Sequence, residues 1–132
     1  MESRVEVRNF FEQKPRKVRS PYGIRFMMLS QEALRELDER LASHDLKMTS
    51  LRTLIAMLRH MDFENRVDIS QKDLALDLGI SQSDLSKASR SLVEFGFIER
   101  MANRRGWYRV SPRLCWKGSV KTLEAELARQ AA

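Results

Sequence analysis

Two groups of side chains have the types and spacing to bind a polyanion. Gln82, Ser83, Ser86, Lys87 and Arg90 recur at helical intervals. On one helix they would present amide, hydroxyl and cationic donors together, the mixture that hydrogen-bonds to base edges and phosphate oxygens in a DNA major groove. Gln82 and Ser83, at the N-terminal end, would reach deepest, and Lys87 and Arg90 would meet phosphates. The second group is Asn103-Arg104-Arg105-Gly106, a turn between two strand-like runs that carries two guanidiniums toward a phosphate backbone or a minor groove. Arg109 follows in the second run and is expected to add to that contact.

Other chemistry finds little footing. His44 and His60 stand sixteen residues apart without Cys or Glu partners at metal-ligand spacing, and Cys115 is the only cysteine. No phosphate-cradling glycine loop or nucleophile elbow is present, so no catalytic residue, metal or cofactor is expected. Trp107, Tyr108, Phe95 and Phe97 sit at strand or helix-end positions and are read as core rather than as a stacking platform for single strands.

The elements that must hold these groups are legible in order. Ser30 is placed to cap a helix at about 31–43 bearing Leu34, Leu37 and Leu41. After a break at His44-Asp45, Thr49 or Ser50 is expected to cap a second helix with Leu51, Leu54, Ile55, Leu58 and Met61 on its buried face. Phe63-Glu64-Asn65 turns the chain into a short edge strand, Val67-Asp68-Ile69, and Tyr22–Leu29 reads as a further strand. Ser70 then opens a helix that ends at Gly79, and Ser81 caps the next, about 82–95. Ala75 supplies a small residue where the two helices cross, Gly79 a left-handed turn, and Leu85, Ala88 and Leu92 an inward face. Phe97–Met101 and Trp107–Val110 form a hairpin, and a last helix begins after Ser119 with Val120, Leu123 and Leu127 on one side.

The 132 residues carry a formal charge of +6, unevenly spread. Residues 30–99 are slightly acidic, whereas 100–121 hold seven basic groups and no acid. Most sequence-independent affinity is therefore expected from Arg100 to Lys121, and site choice from the helix. Lys14, Arg16, Lys17 and Arg19 make the first 21 residues a basic, flexible arm that could extend the footprint. The domain reading is 1–21 arm, 22–118 winged-helix DNA-binding domain, and 119–132 a C-terminal helix that either forms a homodimer or packs on its own domain. The fold class is mostly α with a small β-hairpin, a winged helix-turn-helix. The longest apolar run, Phe26–Leu29, is far short of a membrane span, and with one cysteine and no apolar leader the expectation is a cytoplasmic protein associated with nucleoid or plasmid.

From the second helix onward the chain resembles the RepL-type plasmid replication and maintenance proteins, a winged-helix family. The likeness rests on the stripe Leu51–Met61, on Val67-Asp68-Ile69-Ser70, on Leu78-Gly79-Ile80-Ser81, and above all on Tyr108-Arg109-Val110-Ser111-Pro112-Arg113-Leu114-Cys115-Trp116-Lys117-Gly118. It covers 70 to 80 residues, and departs from the family at Ser111, where Asn is more usual, and in its basic arm. The resemblance implies duplex binding at a plasmid origin, in replication initiation, copy control or maintenance, with no catalytic residues to carry over; no small-molecule ligand is evident from the sequence. A transcriptional repressor is the alternative, since the helix-turn-helix is similar to that of many repressors. An adaptor binding an acidic protein through its basic surface is a third.

Overall fold

The computed structural model describes residues 26–131. It is mostly helical. The order is β1 (Met28–Leu29), α1 (Gln31–Ala42), α2 (Met48–Arg59), a 3-10 turn (Phe63–Asn65), α3 (Gln71–Leu78), α4 (Gln82–Glu94), β2 (Ile98–Arg100), β3 (Tyr108–Val110), β4 (Cys115–Trp116) and α5 (Val120–Ala131). Among the described residues no helix is long and apolar enough to cross a membrane.

Local chemistry sets the helix starts. Ser30, Ser70 and Ser81 all stand in extended backbone, and each hydroxyl accepts from the amide three residues on, Ala33, Asp73 and Asp84 respectively. The second helix departs from this pattern. It begins at Met48 behind Lys47, which makes no side-chain cap, so the expected capping residues Thr49 and Ser50 lie inside its first turn.

Its buried face includes most of the expected one, with Leu54 and Met61 buried and Leu51 and Leu58 half-buried against the core, but it reaches further round the helix. Ser50, Thr53, Leu54, Ala56 and Met57 are buried, while Ile55 is 47% exposed. The apolar stripe misses this because α2 runs along α4 more extensively than any other pair of elements. Small residues are needed where two helices lie close, and Thr53 satisfies its hydroxyl internally by donating to Thr49 O at 2.8 Å.

Four short strands make two antiparallel pairs. β1 pairs with β4 in the register Met28↔Trp116 and Leu29↔Cys115, and β2 pairs with β3 through Ile98↔Val110, Glu99↔Arg109 and Arg100↔Tyr108. Of the expected strand at 22–29 only Met28–Leu29 is extended and paired among the described residues. The edge strand expected at 67–69 is reduced to isolated bridges, Arg66↔Arg109 and Met61↔Val67, with Val67 N–H donating to Tyr108 O at 3.0 Å. On its other side, Asp62 N–H to Arg66 O and Asp68 N–H to His60 O make the Met61↔Val67 bridge.

Asn65 is the joint between these parts. It is fully buried, with φ of +66°, and makes three side-chain hydrogen bonds. Its Nδ2 donates to Val110 O at 3.0 Å and Cys115 O at 2.7 Å, and its Oδ1 accepts from Lys117 N–H at 2.9 Å. Asn tolerates the left-handed conformation better than most residues, so one side chain serves both the turn and the sheet ends. Around it a single core gathers Leu54, Met57, Leu74, Leu85, Leu92, Phe97, Ile98, Val110 and Leu114.

Replacing Asn65 with Ala strands two buried carbonyls and an amide, and is expected to cost on the order of 3 kcal/mol in urea denaturation. Asn65→Gly removes the same bonds but spares the left-handed strain, so it should be milder than Asn65→Ala by about 1 kcal/mol. Equal stability of Asn65→Ala and the parent chain would refute the role given to this side chain.

Candidate nucleic-acid interface

The two helices that carry the first group of donors are joined by a tight turn. Gly79 adopts φ of +69°, and Ile80 N–H reaches back to Ala75 O at 3.1 Å, closing α3 in the manner of a Schellman end. Ala75 and Leu85, 2% and 0% exposed, fill the crossing between α3 and α4. α2 grips the same end of α3 from outside. Arg52 donates to Leu78 O at 3.2 Å, and Asp77 receives Arg59 at 3.1 Å and His60 at 3.4 Å. The His60 hydrogen bond, followed by the Arg59 charge, holds the Asp77 carboxyl below the usual carboxylate range.

The face of α4 turned from the core keeps its polar groups in solvent. Gln82, Ser83, Lys87 and Arg90 are exposed, and Ser86 is half-buried. Leu85, Ala88, Ser89 and Leu92 occupy the opposite side, all buried. The Ser89 hydroxyl finds no partner there. Lys87 borders a groove between α4 and the start of α2, shared with Asp45, Lys47, Thr49 and Asp84.

The hairpin tip holds the second group. Met101 N–H bonds to Trp107 O at 2.9 Å and Trp107 N–H to Arg104 O at 3.1 Å, which closes a short loop with Arg104 and Arg105 at its exposed end. The Arg104 guanidinium lies over the Trp107 ring, 3.6 Å from its centroid. Among the described residues neither Arg104 nor Arg105 has a carboxylate within ion-pair distance. Phe97 and Tyr108 are buried as expected of core residues. Trp107 and Phe95 are both half-buried, Phe95 beneath Arg40, whose guanidinium lies 4.3 Å from the ring centroid.

Arg109 is not where the sequence suggested. Its side chain is only 18% exposed and faces Glu99 at 3.8 Å and Glu126 of α5 at 3.5 Å, with Trp116 beyond. The reason is strand alternation. Tyr108 and Val110 point into the core, so Arg109 points to the other face, where its cross-strand partner is Glu99. That face is covered by α5, which buries no residue fully and is held by polar contacts. These are Arg109 to Glu126, Gln130 to Glu99, and the Trp116 indole donating to Ser119 O and Thr122 Oγ1. A side chain at Gly118 would put its Cβ 2.5 Å from the Trp116 indole nitrogen, so the approach to α5 requires glycine.

Two more of the late basic residues are also engaged internally. Arg113 reaches Gly96 O at 3.4 Å and Glu36 at 3.8 Å, and Lys117 donates to Met61 O at 3.2 Å. Conversely, Arg66 joins the candidate surface although its sequence context did not mark it. It is exposed, and lines a cleft with Asp62, Asp68, Met101, Arg104 and Trp107 at the base of the hairpin. Its signal was the alternation Arg66-Val67-Asp68-Ile69, which puts Arg66 and Val67 on opposite faces. Lys14, Arg16, Lys17 and Arg19 lie outside the described residues.

The Cys115 thiol is buried, and desolvation pushes its pKa up to about 12, so it is a packing group at neutral pH. Among the described residues no three His, Cys, Asp or Glu side chains converge as a metal site. Comparison with family models, with curated proteins and with solved structures finds no match.

Two measurements check this geometry. Arg109→Ala should destabilise the fold by about 1–3 kcal/mol, because it removes the largely covered cation between Glu99 and Glu126 and leaves Glu126 only the more exposed Arg129 among the described residues. Arg105→Ala should stay within about 0.5 kcal/mol of the parent. Similar melting temperatures for both variants would contradict the assignment. Asp77 gives a pH test. Its folded pKa is depressed, so its stabilisation is present above the ordinary carboxylate range and is lost as pH falls through the folded value. Asp77→Asn should be less stable than the parent near pH 7, and the gap should close as the solution is acidified.

Proposed function

We propose that this chain binds a specific site on double-stranded DNA as a winged helix-turn-helix. α4 enters the major groove, and the β2–β3 tip meets the neighbouring backbone or minor groove. The observation that carries the reading is a pairing of unlike surfaces. An exposed edge of Gln82, Ser83, Lys87 and Arg90 follows a tight helix–turn–helix, and the hairpin directly after it presents the Arg104 and Arg105 guanidiniums to solvent. The order of elements also supports it: α2, the bridged segment at Arg66-Val67, α3, α4, then the hairpin, with Arg66 bridging to β3 as a winged helix requires of its first strand. The chemistry fits duplex DNA better than an acidic protein, since amide and hydroxyl groups at the start of α4 match base edges, while point charges alone would serve a carboxylate surface.

For the cellular role we propose plasmid replication initiation, copy control or maintenance, on the resemblance centred on Tyr108–Gly118. The residues of that stretch have visible structural work. Ser111 Oγ accepts from Arg113 N–H at 3.2 Å, the bond an Asn side chain would make in such a turn, so the departure at Ser111 keeps the turn's chemistry. Transcriptional repression is the second reading, favoured by the α3–α4 unit, whose geometry serves a promoter as well as an origin. Footprints over an origin support the first, and footprints over a promoter, its own included, support the second.

Duplex binding measured by anisotropy across salt tests the proposal itself. Affinity should fall steeply with salt, and its complete absence at low salt would sink the reading. Arg104→Ala with Arg105→Ala should weaken all duplexes alike and reduce the log–log salt slope by about 0.9 for each phosphate that is no longer neutralised. Gln82→Ala with Ser83→Ala should instead change discrimination among sites, by about 1–3 kcal/mol at the base pairs those residues read. The reverse pattern would overturn the division of labour.

A further inference from the structure

Resting on the DNA-binding reading, we infer that Trp107 is a positioning residue which holds Arg104 in its DNA-bound pose, so that the two arginines of the tip act by different means. The two look interchangeable in the chain, as neighbours on one loop. Their surroundings differ. The Arg104 guanidinium carbon lies 3.6 Å from the centroid of the Trp107 ring, a separation suited to face-on stacking, and Trp107 also closes the loop with its backbone, accepting from Met101 N–H and donating to Arg104 O. Arg105 is exposed, and the ring beside it is taken by Arg104.

A guanidinium stacked by its face keeps its in-plane N–H donors free, and those are the donors that meet phosphate or groove oxygens. The stack therefore orders the group before contact without using its hydrogen bonds. A long side chain that is already ordered loses less rotamer freedom when it binds. The cleft beside the stack is lined by Asp62 and Asp68 as well as Arg66. Those acids disfavour a phosphate within the cleft, so the contact is made by the outward edge of Arg104. Trp107 acts through Arg104, which already covers a face of its ring.

The test is a double-mutant cycle on duplex affinity with the full chain. Trp107→Leu keeps apolar volume and removes the ring, and should weaken binding about three-fold, the factor a solvent-exposed cation–π contact supports. Trp107→Phe, with a poorer π face, should fall between. In an Arg104→Ala background Trp107→Leu should change nothing further, whereas with Arg105→Ala the two effects should multiply. Melting temperatures of each variant identify a tip that has merely unfolded, and Trp107→Phe then carries the comparison. The inference fails if Trp107→Leu leaves affinity unchanged, or if it costs the same three-fold with Arg104 already removed. Absence of binding by the parent chain at low salt is a separate result, and strikes the DNA reading.

Discussion

A buried amide that uses both of its side-chain donors and its carbonyl oxygen organises this fold. Asn65 holds the carbonyls of Val110 and Cys115 and the amide of Lys117, and so fixes the end of β3, the whole of β4 and the exit toward α5 relative to the turn after α2. Buried polar groups are costly unless satisfied, and a satisfied one admits few alternative arrangements. A one-residue slip of this strand end would exchange the two faces of β3 and turn Arg109 into the core, which apolar packing already opposes. The three directional bonds forbid that slip. Glu64 and Asn65 both adopt positive φ to reach this geometry, and no apolar residue could supply both the conformation and the bonds.

With that joint set, α2 becomes the frame for the candidate interface. Its small buried residues let α4 lie along it, and Arg52, Arg59 and His60 secure the end of α3. The helix-turn-helix is thus held from both helices by one scaffold, through apolar contact on one side and carbonyl and carboxylate contacts on the other. A recognition helix must be presented at a fixed angle to read base edges, and this support leaves its outward residues with no structural duty.

Residues governed by local rules were readable before any fold was known. The serine caps at 30, 70 and 81, the left-handed Gly79, the small Ala75 and the inward Leu85 follow from chemistry within a few residues, and they stand where the spacing put them. What escaped depends on partners distant in the chain. The full buried face of α2 is decided by α4, a later helix, and its small members Ser50, Thr53 and Ala56 lie outside the stripe that Leu51, Leu54, Leu58 and Met61 mark. Asn65 looks like any turn residue until the strand ends that it binds, 45 and 50 residues later, are in place. Arg109 lay within a basic run, and only its pairing with Glu99, plus the later Glu126, shows that it is taken.

Internal pairing of this kind changes what the basic segment is worth. Counted as charges, residues 100–121 offer seven cations. Arg109 is largely covered between two carboxylates, Arg113 faces Glu36, and Lys117 is turned onto the Met61 carbonyl, so the cations without an internal partner among the described residues are Arg100, Arg104, Arg105 and Lys121. Counterion release scales with phosphates neutralised, and a cation engaged within the fold is less available to neutralise one. On the proposed DNA-binding reading, the sequence-independent attraction would therefore be more sharply localised than net charge suggests, with two of the four remaining cations on the hairpin tip. Localised attraction fixes register. A broad basic face would hold a duplex in many positions, while a small cationic tip after a polar helix edge lets that edge settle which base pairs are presented to it.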